Sequence, residues 1–266
     1  MIASVIKTFE ILEAFSPENP VLSLSEISTL LGYPKTTLHT ILKTMIYKGV
    51  IERSGKGTYS LGTAIISMTQ AIRVNVQLRD RAAPLLRELA DTCRESVYLT
   101  ILDKSACLYI YAIESSDRLL ARTAIGERTP LHCTSAGKAM LSFLPIETVE
   151  TLIKEQGMSK YNDKTIIDFA VLLNELKKSR DRGFAVDKEE HETGMFCLGS
   201  PVFNESGEVF AACSVSGTDP DILGKKKALF SAGVRYTALE ISRRMGFVPS
   251  GDKKIWNEIA NPLREV

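Results

Sequence analysis

Between Ser23 and Gly49 the chain reads SLSEISTLLGYPKTTLHTILKTMIYKG, and this stretch constrains the fold more than any other. Ser23 and Glu26 stand at capping-box spacing, where each side chain satisfies a backbone N–H of the other at a helix start. Gly32 takes a positive φ without steric cost and predicts the end of that helix. Pro34 pre-sets φ for the first turn of a second helix. There Leu38, Ile41, Leu42 and Met45 recur at i, i+3, i+4 and i+7, one apolar stripe. The other face carries Lys35, Thr36, Thr37, His39, Thr40 and Lys43. Two short helices about a glycine turn, the second showing short polar and basic side chains, predict a helix-turn-helix whose second helix enters a major groove.

The flanks extend the module. Val5, Ile6, Phe9, Leu12 and Phe15 have helical spacing and predict a supporting first helix, ended by Ser16-Pro17 and Asn19-Pro20. Val50 to Arg53 and Thr58 to Leu61 are β-prone and flank Ser54-Gly55-Lys56-Gly57, a tight turn. Three helices and a basic hairpin predict a winged helix-turn-helix, with Arg53 and Lys56 of the wing on phosphate. With 266 residues, 44% of them hydrophobic, the chain is long enough for two cores. Net charge is only +1, so a nucleic-acid surface must be local. Residues 35 to 56 carry Lys35, Lys43, Lys48, Arg53 and Lys56 against Glu52 alone, a local excess of +4.

The five cysteines are scattered without CxxC and read as reduced, buried thiols of a cytoplasmic protein. Neither a spanning apolar run nor a leader pattern is legible, so no membrane partner is expected. Residues 63–77 predict a linker helix, and Ile65, Ile66, Met68, Ile72 and Val76 exceed one packing face, which suggests a second subunit. Another helix is expected from Leu78 to Arg94, with a kink or restart at Pro84. Residues 78–248 then alternate. Strands are expected over Val97–Leu102, Ala106–Ala112, Leu119–Ala124, Met195–Phe203 and Val209–Ser216, and helices over 134–144, 145–156, 165–182 and 222–246. Strands, helices, then strands again indicate an α+β domain on an antiparallel sheet. The tail 249–266 holds the one tryptophan, Trp256, and its role is not legible.

A second site is suggested by residue chemistry. GERTPLHCTSAGKA, residues 126–139, is a proline-bounded loop running into a helix that Thr134 or Ser135 would cap. The amides of Ser135, Ala136 and Gly137 would then face outwards, an anion site suited to a carboxylate. GFAVDKEEHETGMFC, residues 183–197, reads as a polar loop entering a strand. Ser214 and Ser216 share a strand face, and Cys197 joins them if its strand pairs with theirs. Taken singly, each of these would be an ordinary sheet hydroxyl or a small core thiol.

PLHCTSAGKA, RGFAVDKEEHETG and CSVSG, in this order behind the N-terminal module, resemble the IclR family of bacterial transcriptional regulators. The resemblance covers Ala3 to about Gly246. It implies a winged helix-turn-helix, a linker helix, a GAF/profilin-like effector domain and assembly as dimers or dimers of dimers. Family effectors are usually small organic or aromatic acids. Carried over by motif, the effector would meet the backbone at Ser135 and Ala136, with Asp187, Met195, Cys197, Ser214 and Ser216 around it. Departures from the pattern are Thr40, where many relatives have arginine, Leu198-Gly199-Ser200-Pro201, and the short stretch before the first helix, which removes a minor-groove contact.

The expected function is operator binding at quasi-palindromic half-sites, modulated by a small-molecule effector through residues 63–77, with no cofactor or metal. One rival is a metal-dependent or Cys/His hydrolase, built on His132 with Cys133 or His191 with Cys197. It lacks GxSxG and HExxH, and the chain has three histidines in all. The other rival is a sensor that works only through protein partners.

Overall fold

The computed structural model describes residues 1–16, 18–55, 57–70, 73–115 and 125–249. The expected strand Leu119–Ala124, Lys56 and the Trp256 tail lie outside the described residues. The chain divides into two compact units, Met1–Val76 and Gln77–Val266. Among the described residues, no helix is long and apolar enough to cross a membrane.

The first unit contains α1 (Ala3–Glu13), β1 (Val21–Ser23), α2 (Leu24–Leu31), α3 (Lys35–Tyr47), β2 (Ile51–Arg53), β3 (Thr58–Leu61) and α4 (Ala64–Gln70). The capping box at Ser23 forms as expected, with Ser23 N–H donating to Glu26 Oε2 at 2.7 Å and Glu26 N–H to Ser23 Oγ at 3.2 Å. Gly32 closes α2 in the left-handed region at φ +71°. Pro34 caps α3 rather than opening its first turn, because its ψ of 138° is still extended. Leu38, Leu42 and Met45 are buried with Ile27, Ile51 and Tyr59 in one core. Two expectations change. The hairpin gains a third strand, β1, which pairs antiparallel with β3. On α1 the buried residue is Ile11, and the expected Phe15 is buried just beyond its end, while Val5, Ile6 and Phe9 are exposed. That helix is apolar on two faces, and spacing selected mostly the outer one.

The expected linker helix and its successor are divided differently, and the longer helix begins before the boundary at Val76. α5 spans Arg73–Cys93 and runs through Pro84 without restarting. There follow β4 (Ser96–Asp103), β5 (Ala106–Ile113), β6 (Arg128–Thr129), α6 (Ser135–Leu141), α7 (Ile146–Gln156), α8 (Phe169–Arg182), β7 (Ala185–Lys188), β8 (Phe196–Phe203), β9 (Val209–Gly217), a 3-10 turn Pro220–Ile222 and α9 (Lys227–Arg244). The strands form an antiparallel sheet in the order β6-β5-β4-β9-β8-β7. Leu86 and Leu89 of α5 and Val234 and Ile241 of α9 pack with Leu99, Leu198 and Val215 of the sheet. A separate cluster joins Ala136 and Met140 of α6, Leu152 of α7 and Leu172 of α8 to Ala185 and Ala212.

The helix expected from residue 165 begins at Phe169, capped by the Asp168 carboxylate, which accepts from Val171 N–H. Thr165 has another task, donating its hydroxyl to Glu190 C=O at 2.7 Å. The helix expected from residue 222 begins at Lys227. Part of the expected polar loop is strand β7, whose Asp187 pairs with Cys197.

Candidate functional site

On α3, Lys35, Thr36, His39, Thr40 and Lys43 are exposed and Thr37 is half-buried. The turn before this helix is pinned from two sides. Ser28 Oγ donates to Tyr33 C=O at 2.7 Å, and Tyr33 OH donates to Glu10 Oε2 at 2.7 Å. Lys35 Nζ also reaches Ser25 Oγ at 2.8 Å, tying α3 to α2. Arg53 is exposed at the end of β2. Around the wing tip Ser54 N–H donates to Thr58 C=O at 3.0 Å, and the Thr58 hydroxyl returns to Ser54 C=O. A helix held against two others, with a polar face and a braced hairpin behind it, can be laid into a groove without rearrangement.

The second unit brings most of the expected effector residues to one cleft. Antiparallel register explains the gathering. Asp187, Cys197 and Ser216 lie opposite one another on β7, β8 and β9. The next row on that face holds Gly199, Ser214 and Tyr98. Ser135, Asp187, Met195, Cys197, Ser214 and Ser216 all line the cleft. Ala136 and Gly137 do not. Thr134 caps α6, and its Oγ1 accepts from Gly137 N–H at 3.1 Å, so the expected third outward amide is consumed within the helix start. A side chain at Gly137 would sit 2.4 Å from Leu131 O, which places that residue against backbone.

Sequence reading missed Tyr98, Tyr109 and Glu192 as cleft residues, and gave Thr134 and His191 other roles. Strand alternation located the two tyrosines on β4 and β5, but the face they share follows only from pairing. Their rings meet edge to face at 5.3 Å. Burial pushes the Tyr109 hydroxyl well above its ordinary value and lowers His191.

Behind the cleft is a buried polar node. Lys138 is fully buried on α6, and its Nζ donates to Glu190 Oε1 at 2.5 Å. Glu190 N–H donates to Asp187 Oδ1 at 2.8 Å, and Asn162 Nδ2 donates to Glu189 C=O at 2.9 Å. Burial raises the Asp187 carboxyl to about 7, against the pull of the Lys138 ammonium and the Glu190 amide. Glu190 is also raised, again mainly by burial.

The His132–Cys133 constellation finds no support in this chemistry. The Cys133 thiol is pushed up by burial and by the Asp187 and Glu190 carboxylates, away from the thiolate a nucleophile requires. His132 directs Nε2 to Ser159 C=O at 3.1 Å. Among the described residues no three His, Cys, Asp or Glu side chains are grouped to hold a metal ion.

Comparison with known proteins gives the same two-part division of function. A family model described as the IclR helix-turn-helix domain matches residues 4–55, and one described as the bacterial transcriptional regulator IclR C-terminal matches residues 70–243. The chain is 32% identical to the HTH-type transcriptional regulator KipR of Bacillus subtilis, over 92% of this chain and 97% of that protein. The Thermotoga maritima IclR crystal structure superposes with a TM-score of 0.79 at 28% identity, covering 92% of this chain and 99% of that one. An IclR homolog from Microbacterium hydrocarbonoxydans, complexed with 4-hydroxybenzoate, has the same fold, with a TM-score of 0.82 at 20% identity and coverage of 91% and 99%. A helix-turn-helix model and a C-terminal model that together match most of the chain, with a relative 32% identical over 92% of it, place this chain in the IclR family of bacterial transcriptional regulators.

Proposed function

We propose that this regulator binds operator half-sites through α3 and senses a small carboxylate in the cleft of its second unit. The cleft carries the effector half of the reading: Asp187, Ser214 and Ser216 line it together with Ser135 of the first turn of α6. The amides of Ser135 and Ala136 open that helix, the end whose partial positive charge favours an anion. The ligand of the Microbacterium relative, 4-hydroxybenzoate, is a carboxylate of this kind. Lys35, Thr36, Thr37, His39, Thr40 and Lys43 are the proposed base and groove contacts, and Arg53 with Lys56 the phosphate contacts. Residues 1–62 would serve as the DNA module, 63–77 as linker and 78–248 as effector domain, in a cytoplasmic homodimer or dimer of dimers. The exposed apolar side chains of Phe9 and Ile66, 59% and 63% accessible, support a second copy, and sedimentation of the full chain reads that state. Coupling between the sites is expected to be worth ~1–3 kcal/mol, enough to switch occupancy several-fold.

Two measurements test the two halves. Arg53→Ala is expected to weaken binding to all duplexes alike and to reduce the slope of log affinity against log salt by about 1. An unchanged slope would remove Arg53 from phosphate. For the cleft, the sign follows from Asp187. Its folded-state value of about 7 stands above the ordinary 3.8, so the stabilisation from its neutral form is complete below the ordinary value and is lost as pH rises through about 7. A neutral Asp187 can donate to a carboxylate, whereas an ionised one repels it. Affinity for a carboxylate found by thermal-shift screening, 4-hydroxybenzoate included, should therefore fall between pH 6 and pH 8. Asp187→Asn should flatten that fall while leaving apo DNA binding nearly intact. An equally steep fall in the variant would assign the titration to another group, such as His191.

A further inference from the structure

The recognition helix lacks arginine, asparagine and glutamine throughout Lys35–Tyr47. Those are the side chains whose planar forks pair with guanine or adenine edges in the major groove. What α3 offers instead is threonine. Thr36, Thr40 and Thr44 recur at i, i+4 and i+8, and all three are exposed on the side away from the buried Leu38, Leu42 and Met45. Two of the hydroxyls are spoken for. Thr40 Oγ1 donates to Thr36 C=O at 3.1 Å, and Thr44 Oγ1 donates to Thr40 C=O at 3.3 Å. A hydroxyl bonded back to its own helix keeps no proton for a base. Each of these residues then presents a methyl group and an acceptor oxygen.

The methyl is the part that selects. Among the four bases only thymine carries a C5-methyl on the major-groove edge, where a threonine methyl makes apolar contact, whereas cytosine has none. Lys43, on the adjoining ridge and exposed, is left to meet guanine N7 or O6 or a phosphate. We infer that Thr40 and Thr44 read thymine methyl groups, so that the operator half-site is specified chiefly by A·T pairs facing this ridge. The inference rests on the proposed placement of α3 in the major groove and adds the base class that it reads.

The test uses the full-length chain. Operators are first selected from random duplexes, and each thymine of the enriched half-site is then replaced by uracil, which deletes only the C5-methyl. Loss of one methyl contact should weaken binding roughly threefold to fivefold at two or more positions. Thr40→Ser and Thr44→Ser keep the hydroxyl and remove the protein methyl. Each should abolish the uracil penalty at its own position while leaving it at the other, with melting temperature unchanged. Uracil substitution without effect across the half-site, with 7-deazaguanine causing a tenfold loss, would overturn the inference in favour of guanine reading by Lys43. Penalties equal in the serine variants and the parent would overturn it as well. Selection that enriches no sequence would instead bring down the underlying groove placement, an outcome distinct from both.

Discussion

Gly199→Ala is expected to destabilise the second unit by roughly 3 kcal/mol or more, at the upper end of the range for overpacked cores. A Cβ there would lie 2.6 Å from both the carbonyl carbon and oxygen of Ser135 and 2.9 Å from the Ala136 nitrogen. All three are backbone atoms. Neither neighbour can yield by rotating a side chain, because Gly199 is paired on β8 to Ala185 and Ser214 and every residue of α6 is buried. Either the helix lifts from the sheet or the strand register distorts. In a domain of this size the loss corresponds to roughly 6–12 °C in the melting of the second unit. Effector affinity should fall with it, since the displaced turn carries Ser135 at the cleft. A melting temperature within about 1 °C of the parent would show that the two backbones are not in contact.

Lys138→Met is the second large effect, expected at roughly 3–5 kcal/mol, because it leaves Glu190 as an unpaired buried carboxylate. Lys138 has no accessible side-chain surface and Glu190 has 11%. Among the described residues the second oxygen of Glu190 has no hydrogen-bond partner, so the ammonium is its main compensation. Burial holds the Glu190 carboxyl above the ordinary range even with Lys138 beside it, and without the cation it should rise further. The variant's deficit is therefore expected to shrink as pH falls and Glu190 takes up a proton. Lys138→Met combined with Glu190→Met should recover much of the loss, as paired replacement of buried ions by apolar groups often does. A double variant no more stable than Lys138→Met alone would mean that the damage is steric rather than electrostatic. Urea denaturation of the three proteins between pH 5 and pH 8 distinguishes the two.

Where the chain repeats a strong local signal, the fold could be read from sequence. The capping box at Ser23, the stop at Gly32 and the stripe Leu38-Leu42-Met45 depend on residues within one or two turns of each other. So do the β-prone runs that became β4, β5, β8 and β9. Short elements defined by a distant partner escaped. β1 has three residues and exists because β3 lies beside it. β7 hid inside a polar run because only Asp187 opposite Cys197 reveals it as strand. Thr165 was expected to open a helix, yet its hydroxyl binds Glu190 C=O, a long-range bond with no local trace. The cleft divided in the same manner: Ser214 and Ser216 were linked by their spacing of two, whereas Tyr98 joins them only through its position opposite Ser214. On α1 spacing chose Val5 and Phe9 over Ile11, because two apolar faces satisfy the same period.

The complete burial of α6 bears on how such a protein could acquire a new effector. Its seven residues are pressed between sheet and outer helices, with glycine contacts to backbone at Gly137 and Gly199. Almost any change there would disturb folding before it altered ligand choice. Freedom to vary lies at the cleft residues that are not buried, His191 and Glu192. A library randomised at those two positions, with the helix left intact, should yield variants that still fold and respond to different acids.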